Sequence, residues 1–445
     1  MNIRYCFLCL FLLGLFPVKA QEYDISAITL ADALAIGIEN NLTLKRSQLD
    51  LINTETSLLE ARGQQIPSLS ASSNAGYSWG RSFNESTSLF ESRNLGNVSV
   101  GISSNVTLFA GRQIANSIQQ AKVNIEAGRL NVAATEDDIT LNIINLFVNV
   151  VLAKEQVNIA ESQLKTSSQQ LLRTGRLVEA GSLPLSERLD MEAQVASGEV
   201  ELIRAKNNLR LAKLNLAQQL LVPFSEEFDV SVPDLQAEDY PLEQVNVTEI
   251  YGIAVETLPQ VKAAELAVTS AEYGIKIAKG GFLPTLGLGG NISSNYTDPE
   301  NAPEREFMTQ MNDNLGQSLG LNLNIPVLSN YRNRASLQRA RVQRNLSEVQ
   351  EQEVKNQLRQ DIETAYTNAY AARQSYQASQ KQVASLEEAF RMADQRYNVG
   401  AINSVDFQVA QSNLFNAQAE MLNAKYEYIF MVKVLDFYLG KPITL

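Results

Sequence analysis

Three carboxylates in this sequence have a spacing that could support acid chemistry. Glu187 and Asp190 are one helical turn apart, so a helix would place them on one face, and Asp406 holds a similar place later in the chain. Two neighbouring carboxylates could serve as the acid and the nucleophile of a glycosidase. Acids in the first turns of a helix also stabilise its N-terminus through the helix dipole, and the pattern fits this structural role as well.

The residues that most enzymes use for nucleophilic or metal chemistry are missing. The chain has no His, and both of its Cys, Cys6 and Cys9, lie in an apolar run between Arg4 and Ala20. A basic start, a short apolar core and a small residue at its end predict a signal peptide over residues 1–20, which is cleaved. The remaining chain has no Ser-His-Asp triad, thiol nucleophile, disulfide or ordinary zinc or copper site. We therefore expect no catalytic residue, no metal and no cofactor.

The charge of the chain argues against nucleic acid as a partner. The sequence has 37 Lys and Arg against 49 Asp and Glu, and removal of the signal peptide takes away two of the bases, which leaves a formal charge of −14. Such a surface repels phosphate backbones. Residues 222–246 contain seven of the acids and three prolines but no base, and we interpret them as an acidic connector with little regular structure.

The two sides of this connector resemble each other. The segment from Pro67 to Leu69 recurs 217 positions later, and further along the chain Gly181 matches Gly400 at an offset of 219. Residue identity is low, but the residues that break helices keep their places. The pattern predicts an internal duplication. The predicted repeats are 21–221 and 247–445.

Long helices make up most of each repeat. Apolar residues follow one another at spacings that alternate between four and three from Ile139 to Leu164, and again from Leu358 to Tyr397. This period of 3.5 residues is typical of helices that pack by knobs into holes. No proline interrupts the two longest segments, so each can form one helix roughly 95–100 Å long. The predicted helices are 30–63, 112–175, 186–220, 247–279, 331–398 and 404–439.

Between these helices the period changes to two. Apolar residues alternate with Ser, Asn, Gly and Thr, and neither parity carries a charge. An apolar face opposite a small polar face is typical of transmembrane β-barrel strands, although a soluble antiparallel sheet on a core alternates similarly. Tyr77, Trp79 and Tyr296 cluster where barrels have an aromatic girdle, which favours the membrane interpretation. The predicted strands are 68–80, 97–108, 285–296 and 317–327, with polar loops at 81–96 and 297–314.

Four strands cannot form a closed barrel by themselves. Open strand edges are not tolerated in lipid, and single-chain bacterial barrels have at least eight strands. The sequence therefore predicts an oligomer whose symmetry also brings the long helices together.

The order, spacing and duplication of these segments resemble the TolC-like outer-membrane efflux family over nearly all of residues 25–442. Pro67 to Leu69 and its repeat look like that family's junction of helix and strand, and Leu108 to Arg112 look like its return from strand to long helix. The resemblance implies a homotrimer that is mostly α with transmembrane β: an α-barrel of twelve long helices, continuous with a twelve-stranded β-barrel, four strands per chain. It implies the outer membrane of a Gram-negative bacterium, a long periplasmic extension, and docking to a periplasmic adaptor of an inner-membrane pump.

The resemblance also assigns roles to particular residues. Two turns between long helices match the family's helical-hairpin tips, although Gly181 and Gly400 also have the ordinary role of a glycine that ends a helix. Asp406 matches one position of the family's acidic constriction, and Val409 stands where the second carboxylate is usual. The candidate docking residues are Ala180, Gly181, Ser182, Val399, Gly400 and Ala401; the candidate constriction residues are Glu187, Asp190 and Asp406; the candidate girdle is Tyr77, Trp79 and Tyr296.

By this resemblance the chain is a passive conduit of a tripartite efflux or type I secretion system, docked to its adaptor through the hairpin tips. The alternative is a trimeric non-channel stalk with a structural or adhesive role in the outer membrane, against which the small residues at the duplicated tips argue. A carboxylate hydrolase is the least favoured, because Glu187 and Asp190 lie on an exposed-looking helix without an obvious cleft.

Overall fold

The computed structural model describes residues 27–84, 88–232, 246–299 and 306–441. The predicted signal peptide and most of the acidic connector lie outside the described residues. The elements in chain order are α1 (Leu30–Asn40), α2 (Leu42–Gly63), β1 (Ser68–Asn84), β2 (Leu89–Ala110), α3 (Gln113–Glu179), α4 (Leu185–Gln219), α5 (Val247–Thr257), α6 (Pro259–Gly280), β3 (Thr285–Pro299), α7 (Phe307–Asp313), β4 (Gly316–Asn324), α8 (Arg332–Asn398) and α9 (Ser404–Tyr438).

The helices on the two sides of the connector have matching lengths. α3 and α8 both have 67 residues, α4 and α9 have 35, α2 and α6 have 22, and α1 and α5 have 11. At 1.5 Å per residue, α3 and α8 are about 100 Å long. α3 and α4 form one hairpin, α8 and α9 form a second, and the helices α2, α3, α6 and α8 lie side by side in that order.

The apolar stripes with the 3.5-residue period lie on the buried sides of α3 and α8. Ile143 and Val150 of α3 are fully buried, as are Ile362 and Ala369 of α8. The first pair joins a core with α1, α4 and the start of the connector, and the second joins a core with α5 and α9. Among the described residues, α3 is also the one helix long and apolar enough to cross a membrane, but half of its most apolar window is buried, as in a core helix.

The first helix of each half is broken, whereas the sequence predicted one helix over 30–63 and another over 247–279. Asn41 separates α1 from α2, and its side chain accepts two backbone N–H groups of the following turn at 2.8 and 3.1 Å, which starts the new helix. Leu258 precedes Pro259, and a residue before proline avoids the helical conformation. α5 therefore ends there, and α6 begins with proline at its first position.

The four strands form one antiparallel sheet in the order β1-β2-β3-β4. Ser68 lies opposite Asn105, Asn105 opposite Gly289 and Gly289 opposite Gly320, which defines one level across the sheet. This register places most of the apolar residues of the four strands on one face and most of the Ser, Asn, Gly and Thr on the other. Within the described residues, β1 and β4 are the two edges of the sheet, and each pairs on one side.

The strands differ from the predicted ones mainly at the end away from the helices. β1 and β2 remain paired through most of the predicted loop 81–96, because the alternation of apolar residues continues there. Residues 325–327, predicted as strand, lie beyond β4, since Pro326 cannot donate a ladder hydrogen bond. The predicted loop 297–314 contains the end of β3 and the short helix α7, which the sequence did not indicate.

Sharp turns of the same backbone type join the strands to the two long helices. Gly111 and Arg112 both have left-handed backbone angles before α3, and so do Asn330 and Tyr331 before α8. Gly111 also lies against Gly280 at the end of α6: a Cβ on Gly111 would be 2.5 Å from the Gly280 carbonyl oxygen. Glycine at both positions therefore lets α6 touch the start of α3 where the sheet meets the helices.

The described part of the connector is fixed to the helices. Val230 forms a β-bridge with Ile28. Asp229 lies between Lys154 of α3 and Lys213 of α4, with N–O distances of 2.9 and 3.0 Å. Burial alone would raise the pKa of Asp229, but hydrogen bonds from both lysines outweigh it and hold that pKa below its ordinary value.

Candidate functional site

The two hairpin tips have the same backbone conformation. Gly181 and Gly400 have φ angles of 73° and 74°, each one residue beyond the C-cap of its long helix. In each tip, the glycine N–H and the N–H after it donate to carbonyl groups of the last helical turn at 2.8 to 3.0 Å. The helix-ending role of both glycines is therefore confirmed. All the predicted docking residues are exposed at this end of the molecule: Ala180, Gly181, Ser182, Val399, Gly400 and Ala401.

Next to the turns, the two hairpins share a small core. The rings of Tyr397 in α8 and Phe407 in α9 stack with their centroids 5.0 Å apart, and Met191 of α4 packs in the same cluster. The Tyr397 hydroxyl lies 3.0 Å from Oγ1 of Thr174 in α3, a buried hydrogen bond. Side chains from both hairpins thus hold the two tips together.

Two of the predicted constriction residues join the hairpins at the start of α9. Oε2 of Glu187 accepts the Ser404 N–H at 3.0 Å, and Oδ2 of Asp190 accepts the Ser404 hydroxyl at 3.3 Å. Ser404 is the first residue of α9, whose N-terminal N–H groups have no partner in their own helix, so carboxylates are favoured there. One turn further on, the Gln408 amide donates to the Asp190 carbonyl at 3.2 Å. We name these four residues the hairpin clamp.

Asp406, the third predicted constriction residue, lies beside the clamp. Its N–H donates to the side chain of Asn403, the N-cap of α9, at 2.8 Å, and the residue is exposed. Asp406 and Glu187 line the same cleft of about 690 Å³ between the two tips, whereas Asp190 points to Ser404. Glu187 and Asp190 therefore share one partner, Ser404, whereas the Asp406 carboxylate lines the cleft beside them.

Two further links between the hairpins were not indicated by the sequence. The guanidinium of Arg173 donates to the side-chain oxygen of Asn398 and, at 3.2 Å, to its backbone carbonyl. Deeper in the molecule, the buried Gln411 amide donates to Oγ of the buried Ser167 at 3.1 Å. Ser167 continues the stripe of α3 three residues beyond Leu164, so a polar residue on an apolar stripe was the available signal.

The sheet provides the second candidate surface. Tyr77, Trp79 and Tyr296 project from its apolar face, with the first two rings 5.0 Å apart. Trp79 is 74% exposed, and Leu321 on the same face is 67% exposed. On the opposite side, a basin of about 1010 Å³ is lined mostly by Ser, Asn, Thr, Gly and Gln, and none of the described residues that line it is charged. The two faces have the chemistry of a lipid-facing and a water-facing surface.

One acidic group with altered titration lies away from both surfaces, on α3. Burial, together with the negative charges of Glu136 and Asp138, raises the pKa of Asp137 to about 6. Across the described ranges, no three His, Cys, Asp or Glu side chains come together as a metal site would require.

The chain is similar to proteins of one family over most of its length. Residues 35–220 and 250–441 match the outer membrane efflux protein family. The outer membrane efflux protein BepC of Brucella suis is 24% identical over 402 residues, which are 90% of this chain and 83% of BepC. The alkaline protease secretion protein AprF of Pseudomonas aeruginosa is 21% identical over 446 residues, with 96% of this chain and 88% of AprF covered.

A solved structure has the same fold. The crystal structure of the Campylobacter jejuni CmeC outer membrane channel matches with a TM-score of 0.78 and 17% identity, over 92% of this chain and 85% of that one. These relatives are named as efflux, secretion and channel proteins, so the alternative of a non-channel stalk has no support. The family match includes both hairpins and the four strands. The chain therefore belongs to the outer membrane efflux protein family and is located in the outer membrane of Gram-negative bacteria.

Proposed function

We propose that three copies of this chain form a passive export conduit, with a β-barrel in the outer membrane and a helical tube in the periplasm. The observation on which this rests is the four-stranded sheet, which has an apolar face, an uncharged basin on the other face, and two open edges. Because open edges are not tolerated in lipid, β4 of one copy would pair with β1 of the next. Three copies give twelve strands around a lumen lined by the polar face.

The helices support the same closure. α2 and α8 lie at the edges of the helix layer, as β1 and β4 lie at the edges of the sheet. Each of these two helices has exposed apolar side chains at spacings of three, four or seven residues, and contact between α2 of one copy and α8 of the next would bury them by knobs into holes. The exposed residues at these spacings are Leu42, Leu49, Ile52 and Leu59 on α2 and Val342, Leu346 and Val349 on α8.

The native mass of the detergent-extracted protein tests the closure. We expect a particle of about three chain masses that resists alkaline extraction from outer membranes and conducts ions in planar bilayers. A monomer in the soluble fraction would contradict the proposal, because the sheet would then need neither lipid nor a second copy.

The hairpin tips are the proposed docking sites for a periplasmic adaptor that an inner-membrane pump drives. A Cβ on either Gly181 or Gly400 would meet no other atom within 4 Å, so a partner can approach the backbone of both turns closely. Val399 is 79% exposed beside Gly400 and offers an apolar contact. The relatives are named for efflux and for protease secretion, and we propose export of this general kind.

Replacement of Val399 by glutamate tests the docking. Val399→Glu should leave the trimer and its conductance intact and abolish export, because a charge would have to be buried at the contact. Leu172→Glu is the matched control, since Leu172 is 59% exposed on α3 before the turn. Normal export by Val399→Glu would refute docking through this tip.

The hairpin clamp is proposed to keep the tip end closed. Its bonds join α4 to the start of α9, so an outward movement of one hairpin relative to the other must break them. Ser404→Ala combined with Glu187→Ala removes both carboxylate bonds of the clamp and should increase the single-channel conductance of the isolated trimer. Ser385→Ala is the control, because the Ser385 hydroxyl donates to a carbonyl of its own helix. An unchanged conductance in the double variant would mean that the clamp does not restrict the opening.

Asp406 is proposed to select cations at this opening. Its exposed carboxylate lines the cleft between the tips, and three copies would place three such charges around one axis. Asp406→Asn should reduce the cation selectivity of the channel, measured as a reversal potential in a salt gradient. A reversal potential equal to that of the unmodified protein would exclude this role.

A further inference from the structure

The short helix α7 takes the place that β4 leaves empty beside β3. β4 pairs with β3 only as far as Ser293, although β3 continues. Beyond that point, the Gln310 side chain accepts the Thr297 N–H at 2.5 Å and donates to the Thr297 carbonyl at 3.1 Å. The Asn314 side chain donates to the Asn295 carbonyl at 2.6 Å. Side chains of α7 and its C-cap thus make the edge hydrogen bonds that a longer β4 would make.

α7 is fixed on the same face as the aromatic residues of the sheet. The Phe307 ring packs on Tyr296 with the centroids 4.9 Å apart. Tyr296 lies on the same face as Tyr77, since Val98 of β2 is its partner and that face is continuous across the register. Even so, Phe307 is 43% and Met308 is 63% exposed. A helix held in place at a sheet edge therefore presents apolar surface away from its own sheet.

The geometry of a closed barrel indicates which part of a neighbouring copy would lie beside α7. Within one chain, Ser68 and Gly320 are on the same level of the sheet. With strands about 4.8 Å apart, about 3.3 Å per residue and a tilt of about 35–45°, four strands shift the register by about four to six residues. Since β1 starts at Ser68, the shift must run toward Asn84.

The alternation of faces narrows this register further. Gly320 belongs to the polar face, so its partner in the next copy must belong to it too, which leaves Ser72 or Asn74. Gly316, the first residue of β4, then pairs four residues further along, at Gly76 or Ser78. From Trp79 onward, β1 of the neighbouring copy has α7 beside it instead of a strand.

We propose that α7 of one copy packs against Trp79 and Phe83 of the next copy and completes the seam between subunits above the end of β4. Trp79 and Phe83 are 74% and 51% exposed on the apolar face of β1, the face to which Phe307 also belongs. The apolar surfaces of α7 and of β1 in the next copy would face each other, because β4 ends too early to lie between them. The inference rests on the trimeric closure proposed above and adds a helix to its sheet interface.

Cross-linking between copies tests the seam. Both Cys lie in the first ten residues, so new Cys residues in the rest of the chain are the only thiols there. Met308→Cys combined with Phe83→Cys should give covalent trimers with a short bis-maleimide. Met308→Cys combined with Phe109→Cys is the control: Phe109 is 46% exposed but lies at the opposite end of the sheet, and this pair should stay monomeric under denaturing conditions.

The native mass of the same samples separates the two proposals. A trimer that forms covalent trimers with the first pair and not the second supports the seam. A trimer in which the first pair does not cross-link would overturn the seam and leave the conduit intact, whereas a monomer would overturn both.

A charge on α7 gives a second measurement. Met308→Asp should dissociate the detergent-solubilised trimer about tenfold faster than Thr309→Asp, because only the first charge is buried in the seam. Thr309 is also exposed on α7, and two helical positions, about 200° around the axis, separate it from Phe307. Equal dissociation rates for the two variants would overturn the seam.

Discussion

The hairpin tips and the sheet lie at opposite ends of the long helices. They differ in how much apolar surface is buried, and how many polar groups are bonded, within one chain. At the tips, Phe407 is fully covered and Glu187 has its partner, Ser404, in the same chain. In the sheet, Leu321 and Trp79 remain mostly exposed, and both edges are open. The tips are thus largely covered within one chain, whereas the sheet leaves apolar surface that the proposed trimer and lipid would cover. Substitutions at the two ends should therefore have different consequences.

Loss of the tip core should have the largest effect within one chain. Phe407→Ala removes the ring that stacks on Tyr397 and should cost about 3–5 kcal/mol of local stability. We expect faster amide hydrogen exchange at both tips while the trimer persists. Val409→Ala, on the exposed side of α9, is the control and should exchange normally. If Phe407→Ala dissociated the trimer without loosening the tips, the two ends would not be independent.

A charge on the apolar face should destabilise the sheet, at the end of the molecule opposite the tips. Leu321→Lys should cost about 2–4 kcal/mol per copy if this face meets the bilayer midplane, and it should lower the amount of trimer in outer membranes. Asn322→Lys places the same charge on the opposite face, where water would solvate it. Fractionation of membranes from both variants measures the difference. Equal losses would mean that the faces are wrongly assigned.

The pH dependence of stability tests the helices between the two ends. The pKa of Asp137, raised to about 6, lies above its unfolded value near 4, so the folded state binds this proton more tightly and gains stability as the pH falls from 7 to 5. Because the group is partly exposed to solvent, we expect a gain of at most about 2 kcal/mol. Denaturant titrations should show this gain in the unmodified protein and a smaller one in Asp137→Asn, where Asp138, whose pKa burial also raises, remains.

Asp229 should change stability with pH in the opposite direction, so it serves as the control for that experiment. Its pKa is lowered by Lys154 and Lys213 against the effect of burial, so its contribution is present above about pH 4 and is lost as the pH falls further. Asp229→Asn should therefore keep the gain between pH 7 and 5 and lose less stability than the unmodified protein below about pH 4. A gain of undiminished size in Asp137→Asn would show that another group is responsible.

The smallest effect on stability is expected at Tyr331, where the sheet joins a long helix. Tyr331 has a left-handed backbone at the start of α8, a conformation that costs a bulky residue about 1–2 kcal/mol. Tyr331→Gly removes that cost but loses chain entropy, so a net stabilisation of up to about 1 kcal/mol should raise the melting temperature slightly. Arg332→Gly, one residue further inside the helix, should instead destabilise by about 1 kcal/mol.

The sequence predicted the long helices and the strand positions well, because both depend on periodicity along one segment. Ile143 and Ile362 could be placed on buried stripes for this reason. The break before Pro259 was predictable from the proline and was missed. The partnership of Glu187 with Ser404 was not predictable, since it joins residues 217 positions apart whose meeting depends on how two hairpins pack.

α7 escaped prediction for a different reason. A helix of seven residues is too short to show a repeating apolar pattern in the sequence. Its position depends on side-chain hydrogen bonds to the edge of β3. The roles proposed for Asp190 and Asp406 belong to the assembled tips, and no periodic pattern in the sequence indicates them.

The contact between Gly111 and Gly280 has a mechanical consequence. Each long helix is a stiff arm of about 100 Å, and this contact lies at the fixed end of one of them. A rotation of about 5° there would displace the far end by about 9 Å, which is about three times the length of a hydrogen bond. A small adjustment where the sheet meets the helices would thus become a large displacement at the distant hairpin turns.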